Sequence, residues 1–122
     1  MKYLFDTNAV INFICGKGDF SFITSDDKLM ISFITSIELS VGSKNIQEED
    51  VISKFKNRSE LILIDNEIIN KTVDIRKQHG LKIPDSIIAA TSSILDTVLV
   101  TSDKDFVNRM TDSGLQIVDP CK

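Results

Sequence analysis

Five short apolar runs are spread along the chain, at residues 2–6 (KYLFD), 29–34 (LMISFI), 61–65 (LILID), 97–103 (TVLVTSD) and 115–119 (LQIVD). A strand with one face in water alternates apolar and polar residues; these runs are apolar almost throughout, which is the pattern of strands covered on both faces. Between them lie segments of helical spacing. Residues 7–16 close on Gly16 and residues 66–80 on Gly80, both good helix stops, and residues 84–95 open on Pro84, suited to a first turn. Helices are also expected over 35–43, 47–58 and 104–114, the middle one from the spacing of Val51, Ile52 and Phe55. Strands alternating with helices predict an α/β fold, with a mainly parallel sheet between helical layers. The 122 residues suffice for one hydrophobic core and make a single domain, 1–122, the expectation.

Composition narrows the function classes. With 42% hydrophobic and 26% charged residues and a net charge of -4, the chain has the balance of a soluble globular protein. Its apolar runs fall far short of the roughly 20 residues that a membrane span needs, and the N-terminus carries no basic, apolar and cleavable sequence, so a cytoplasmic location and no membrane partner are expected. Cys15 and Cys121 match no metal or redox spacing. An acidic pI of about 4.9 argues against a broad basic face for nucleic acid.

In parallel sheets the carboxyl ends of the strands share one edge, where ligands bind. Asp6 ends the first run, Glu38 follows the second, Asp65 ends the third, and Asp103 and Asp105 follow the fourth, while Asp85 opens the apolar helix. Carboxylates crowded together raise one another's pKa unless a cation neutralises them. An all-oxygen set, with no useful Cys and a single His, favours Mg²⁺ or Mn²⁺ over zinc. Each acid also has an ordinary structural explanation. Thr35 to Glu38 fits a capping box, Asp6, Asp65 and Asp103 are placed to cap helices, and Asp85 is a first-turn acid favoured by the helix dipole.

Four motifs separate these alternatives. FDTN at 5–8, Glu38 within TSIELSVG, GLKIPDSIIAAT at 80–91 and LVTSDKDF at 99–106 together resemble the PIN-domain ribonucleases, most of all the VapC-type toxins of toxin–antitoxin pairs. The resemblance covers nearly the whole chain, with the motifs in the family's order. It implies a PIN-like three-layer α/β/α sandwich around a short, twisted sheet. It also implies a catalytic set of Asp6, Glu38, Asp85 and Asp103, with Asp6, Asp85 and Asp103 holding metal. Asp103 is preferred to Asp105 because it comes first after the strand; Asp105 is assigned a role through water or in orienting the helix. Asn8 and Thr101 match the small amide or hydroxyl that the family places beside its acids, and Asp65 is left as a cap.

The implied activity is metal-dependent endoribonuclease action, with Mg²⁺ or Mn²⁺ orienting and acidifying a water and yielding 3′-hydroxyl and 5′-phosphate ends. A metal-free route through the ribose 2′-hydroxyl ordinarily uses two groups titrating near neutrality, and only His79 is present. Lys104 and Arg109, beside the last acidic motif, are the candidate RNA contacts; Lys54, Lys56 and Arg58, and Lys71, Arg76, Lys77 and Lys82, form two further basic stretches. With no Trp and one Tyr, a base-stacking platform is not expected. The resemblance implies an RNA substrate, a homodimer, and a cognate antitoxin docking over the helices of residues 8–15 and 46–58. Two alternatives stand beside it. One is a receiver-like domain with Asp65 as phosphoacceptor and Lys104 as its lysine; the other is a PIN fold that only binds.

Overall fold

The central strand β1 (Lys2–Phe5) has parallel neighbours on both sides, β2 (Lys28–Ser32) and β4 (Val98–Val100). With edge strands β3 (Glu60–Ile62) and β5 (Ile117–Val118) they form a fully parallel sheet of order β3-β2-β1-β4-β5. The computed structural model of the protein describes residues 1–122. Six helices complete it: α1 (Thr7–Ile14), α2 (Phe33–Gly42), α3 (Ile46–Arg58), α4 (Asn66–His79), α5 (Ile83–Leu95) and α6 (Lys104–Arg109).

Successive side chains of a strand point to opposite faces, so the apolar runs feed two cores. Leu4, Met30 and Leu99 point to one face, where Ile68 and Ile75 of α4, Ile88 and Ala89 of α5, and Phe106 of α6 cover them. Tyr3, Phe5, Leu29, Ile31, Val98 and Val100 point to the other, against Ala9 and Val10 of α1, Leu39 of α2 and Phe55 of α3. The result is the expected three-layer α/β/α sandwich. Phe5 sits at the centre of an aromatic group, 5.6 Å from Phe55, 5.8 Å from Phe13 and 5.9 Å from Phe20 between ring centroids. In the segment before β2, Phe20, Phe22 and Ile23 pack on this core. Helix α5 is buried continuously from Ser86 to Ser92, as its near absence of charge predicts.

Several boundaries differ from the sequence expectation: α6 ends at Arg109 rather than at 114, β4 covers only Val98–Val100, and two further differences have direct physical reasons. Strand β2 stops at Ser32, whose hydroxyl accepts the Ile34 N–H at 3.3 Å and caps α2, so Phe33 and Ile34 belong to the helix. Glu38 consequently lies in the second turn, and its capping-box role with Thr35 is ruled out. Strand β3 is shorter than 61–65 because its only neighbour is β2, whose last paired residue, Ser32, faces Ile62. Leu63 and Ile64 have no ladder to join and stand exposed.

Asp65 then caps α4, its Oδ1 accepting the Ile68 N–H at 2.8 Å. Three residues beyond an edge strand, it lies apart from the central strands, and the receiver-like alternative is set aside. Gly80 ends α4 at φ 69°, a left-handed position that favours glycine. No helix is long and apolar enough to cross a membrane. Replacing Asp65 by Ala is expected to lower unfolding free energy by about 1 kcal/mol, and Asp65→Asn by much less, because Asn also caps; urea unfolding of the two variants measures the difference.

Candidate active site

The order of the strands reverses between β1 and β4, and at such a switch point the chains leaving the two strands diverge to open a crevice. Asp6 follows β1 directly. Its N–H continues the pairing by donating to the Val100 carbonyl at 3.1 Å, and its Oδ1 caps α1 by accepting the Ala9 N–H at 2.8 Å. Only one carboxylate oxygen is needed for that cap. Thr101, fully buried after β4, joins the two strand ends, its Oγ1 accepting the Asp103 N–H at 3.2 Å while its hydroxyl bonds to the Asp6 carboxylate. Asp103 in turn caps α6 through the Phe106 N–H at 3.2 Å.

Around this junction a cleft of about 200 Å³ is lined by Asp6, Thr7, Asn8, Glu38, Lys82, Pro84, Asp85, Ile88 and Asp103. The four acids singled out in the sequence thus face one space, with Asn8 at its wall. Glu38 arrives from the second turn of α2 and is held by the Thr7 hydroxyl, which donates to Oε1 and lies 3.4 Å from the Thr35 hydroxyl. Asp85 enters from the first turn of α5. Asp105 lies in an adjoining cleft with Gly80, Leu81, Lys82, Asp85, Asp103 and Arg109, where its carboxylate pairs with the Arg109 Nε at 3.0 Å. Arg109 also reaches the Gly80 carbonyl, so this cation is already engaged. Lys104 points elsewhere, lining a cleft with Val107, Ile117 and Cys121. His79 lines neither the acidic cleft nor the adjoining one, its Nδ1 lying 3.1 Å from the Arg109 carbonyl oxygen.

Burial and mutual repulsion strain the site electrostatically. Asp6, only 6% exposed, has its pKa pushed from 3.8 up to about 6, chiefly by loss of hydration. Hydrogen bonds from Thr101 and Ala9 oppose the rise, while the charges of Asp85 and Asp103 add to it. The half-buried Asp85 is also raised, first by desolvation; Lys82 pulls it back, and Asp103, Glu38 and Asp105 push it further. Asp6 and Asp85 therefore sense the acids around them, and a cation placed in the cleft relieves the repulsion. The donor set, carboxylate oxygens with hydroxyl and amide neighbours, suits a hard divalent ion in chemistry. In geometry, no three of the acids converge on one point as ligands in this arrangement.

Thr7, Thr35 and Lys82 have roles that the sequence analysis missed. Thr7 stands beside Asp6 in the DTN motif, but its partner Glu38 is distant in sequence and nothing local joins them. For Lys82 a signal did exist. It lies three residues before Asp85 at the start of one helix, close enough for its charge to act on that acid.

Comparison with known proteins accords with this geometry. The family model described as PIN domain matches residues 3–110. Ribonuclease VapC1 of Methanocaldococcus jannaschii is 35% identical over 94 residues, which span 73% of this chain and 69% of that protein. Among solved structures, VapBC-1 of nontypeable Haemophilus influenzae matches with a TM-score of 0.74 and 28% identity over 100% of both chains. The DNA-bound VapBC complex of Salmonella typhimurium matches with a TM-score of 0.80 and 26% identity over 99% of both. On the extent of the family-model match and the identity to VapC1, the chain belongs to the PIN-domain family and, within it, to the VapC type.

Proposed function

We propose that the protein is the endoribonuclease toxin of a toxin–antitoxin pair, hydrolysing RNA with the help of a divalent metal held in the acidic cleft. The observation that carries this reading is the meeting of Asp6, Glu38, Asp85 and Asp103 around one cleft in a PIN fold. Asp6, Asp85 and Asp103 are the residues assigned to hold Mg²⁺ or Mn²⁺, which when bound supplies an acidified water and neutralises charge on the phosphoryl oxygens.

The chain's own part in the reaction is to position. Asp6 and Asp103 each give one carboxylate oxygen to a helix N-terminus, which fixes the carboxyl plane at the wall of the cleft. Thr101 ties the two together, and Thr7 steadies Glu38 as the group that orients the attacking water. No imidazole lies in the cleft, so proton transfer by a pair of histidines finds no support. All aromatic side chains except Phe33 pack in the two cores, which agrees with recognition of RNA by shape and backbone rather than by base stacking.

The seat proposed for the antitoxin lies beside the acids. An apolar groove between α1, α2 and α3 is lined by Ile11, Ile14, Cys15, Leu39 and Ile52, and Glu38 borders both groove and cleft. A segment lying in this groove therefore abuts the catalytic acids. Helix α2, absent from the docking surface expected from sequence, forms its middle wall.

Purified protein is expected to cleave a structured RNA in Mg²⁺ or Mn²⁺ and to stop in EDTA. Asp6→Asn and Asp85→Asn should each lower the rate by about a hundredfold or more, since loss of even an outer partner of a metal ligand costs about 10- to 100-fold. Full activity in both folded variants contradicts the proposal.

The raised pKa of Asp6 gives a second prediction, for metal-free protein. Because its folded-state value lies above the unfolded one, the stabilising contribution is complete below about pH 4 and is lost as the pH rises through 6. Asn keeps the cap and carries no charge. Asp6→Asn should therefore be more stable than the parent at pH 7.5, by about 2 to 3 kcal/mol in EDTA, with the gap closing toward pH 4. Urea unfolding across that range measures it, and a variant less stable at pH 7.5 would show that Asp6 is not under electrostatic strain.

A further inference from the structure

A polyanion approaching this cleft meets several carboxylates, and a bound ion offsets only the charge near the scissile phosphate. The neighbouring phosphates need protein cations of their own. Of the basic side chains near the last acidic motif, Lys104 lines another cleft and Arg109 is paired with Asp105. Lys82 alone borders both the acidic cleft and the one adjoining it, where it stands with Asp85 and Asp103. It is exposed, and it takes part in none of the ion pairs of the fold, which join Met1 to Asp27, Lys28 to Glu60, Lys54 to Asp50 and Arg109 to Asp105. Its ammonium group thus lies outside the ion pairs of the fold, close enough to Asp85 to act on its charge, and stands where the two clefts meet.

We infer that Lys82 is the positioning residue that holds an RNA phosphate next to the scissile one, guiding the backbone from the acidic cleft into the adjoining cleft. The role rests on the nuclease function proposed above. A compact ammonium on a flexible stem suits a single phosphate oxygen as a point charge, without the planar, two-pronged fit of Arg. Arg109, by contrast, acts as a brace: its pairing with Asp105 and its reach to Gly80 tie α6 to the end of α4 and hold the far wall of the adjoining cleft.

The test uses the full chain and a fluorophore-labelled stem–loop RNA, cleaved in Mn²⁺ at several salt concentrations. Lys82→Met keeps the length of the side chain and removes its charge. It should raise KM by about fivefold or more at 0.1 M salt, and flatten the dependence of log kcat/KM on log salt by about 0.7 to 0.9, the share of one phosphate contact. Lys82→Arg should restore most of the affinity. Unchanged KM and salt slope in Lys82→Met, or a fall in kcat with KM unchanged, overturns the assignment while leaving the nuclease function standing. A parent protein that neither binds nor cuts RNA in Mn²⁺ overturns both.

Discussion

The parallel pairing of β1 with β4 is the contact on which the rest of the site depends. It runs one residue past the strand, through the Asp6 N–H and the Val100 carbonyl, and so sets the height of the first acid above the sheet. Thr101 then converts a strand end into a joint between Asp6 and Asp103. Because strand order reverses at this pair, the chains leaving it part to form the cleft, and α5 and α2 need only bring Asp85 and Glu38 to its rim. The two cores hold the pair from above and below. Leu4 and Leu99 are gripped by α4, α5 and α6, and Phe5 and Val100 by α1 and α3.

Stability and function oppose each other at this point. The fold buries Asp6 almost completely and sets other carboxylates close by, which holds its pKa at about 6, above its ordinary value. Such tension is costly to a protein without a cation and favourable to one that binds it, and groups perturbed in this way gather at functional sites. The same charges explain the need for Lys82. One basic side chain at the boundary of two acidic clefts both steadies Asp85 and offers a polyanion a foothold.

Much of this was legible in the sequence. Apolar strands, glycine stops at Gly16 and Gly80 and the proline start of α5 carried the layer architecture, because burial on both faces leaves little freedom of composition. What was not legible depended on partners distant in the chain. The early end of β3 follows from where β2 stops, and the second-turn position of Glu38 follows from Ser32 capping α2. Asp6 and Asp103 both cap helices and both line the cleft, so the structural role does not compete with the proposed catalytic one, a coincidence that a one-dimensional pattern does not display. Of the cations chosen for nearness along the chain, Lys104 lines a separate cleft and Arg109 pairs with Asp105, arrangements that depend on the fold.

The central claim, that these four acids form a metal site, is tested most directly by anomalous diffraction from crystals grown with Mn²⁺. The account predicts a manganese peak in the cleft, within ligand distance of carboxylate oxygens from Asp6, Asp85 and Asp103, that disappears in Asp6→Asn. Crystals with no peak in the cleft at millimolar Mn²⁺, or with the ion bound elsewhere on the molecule, would contradict it.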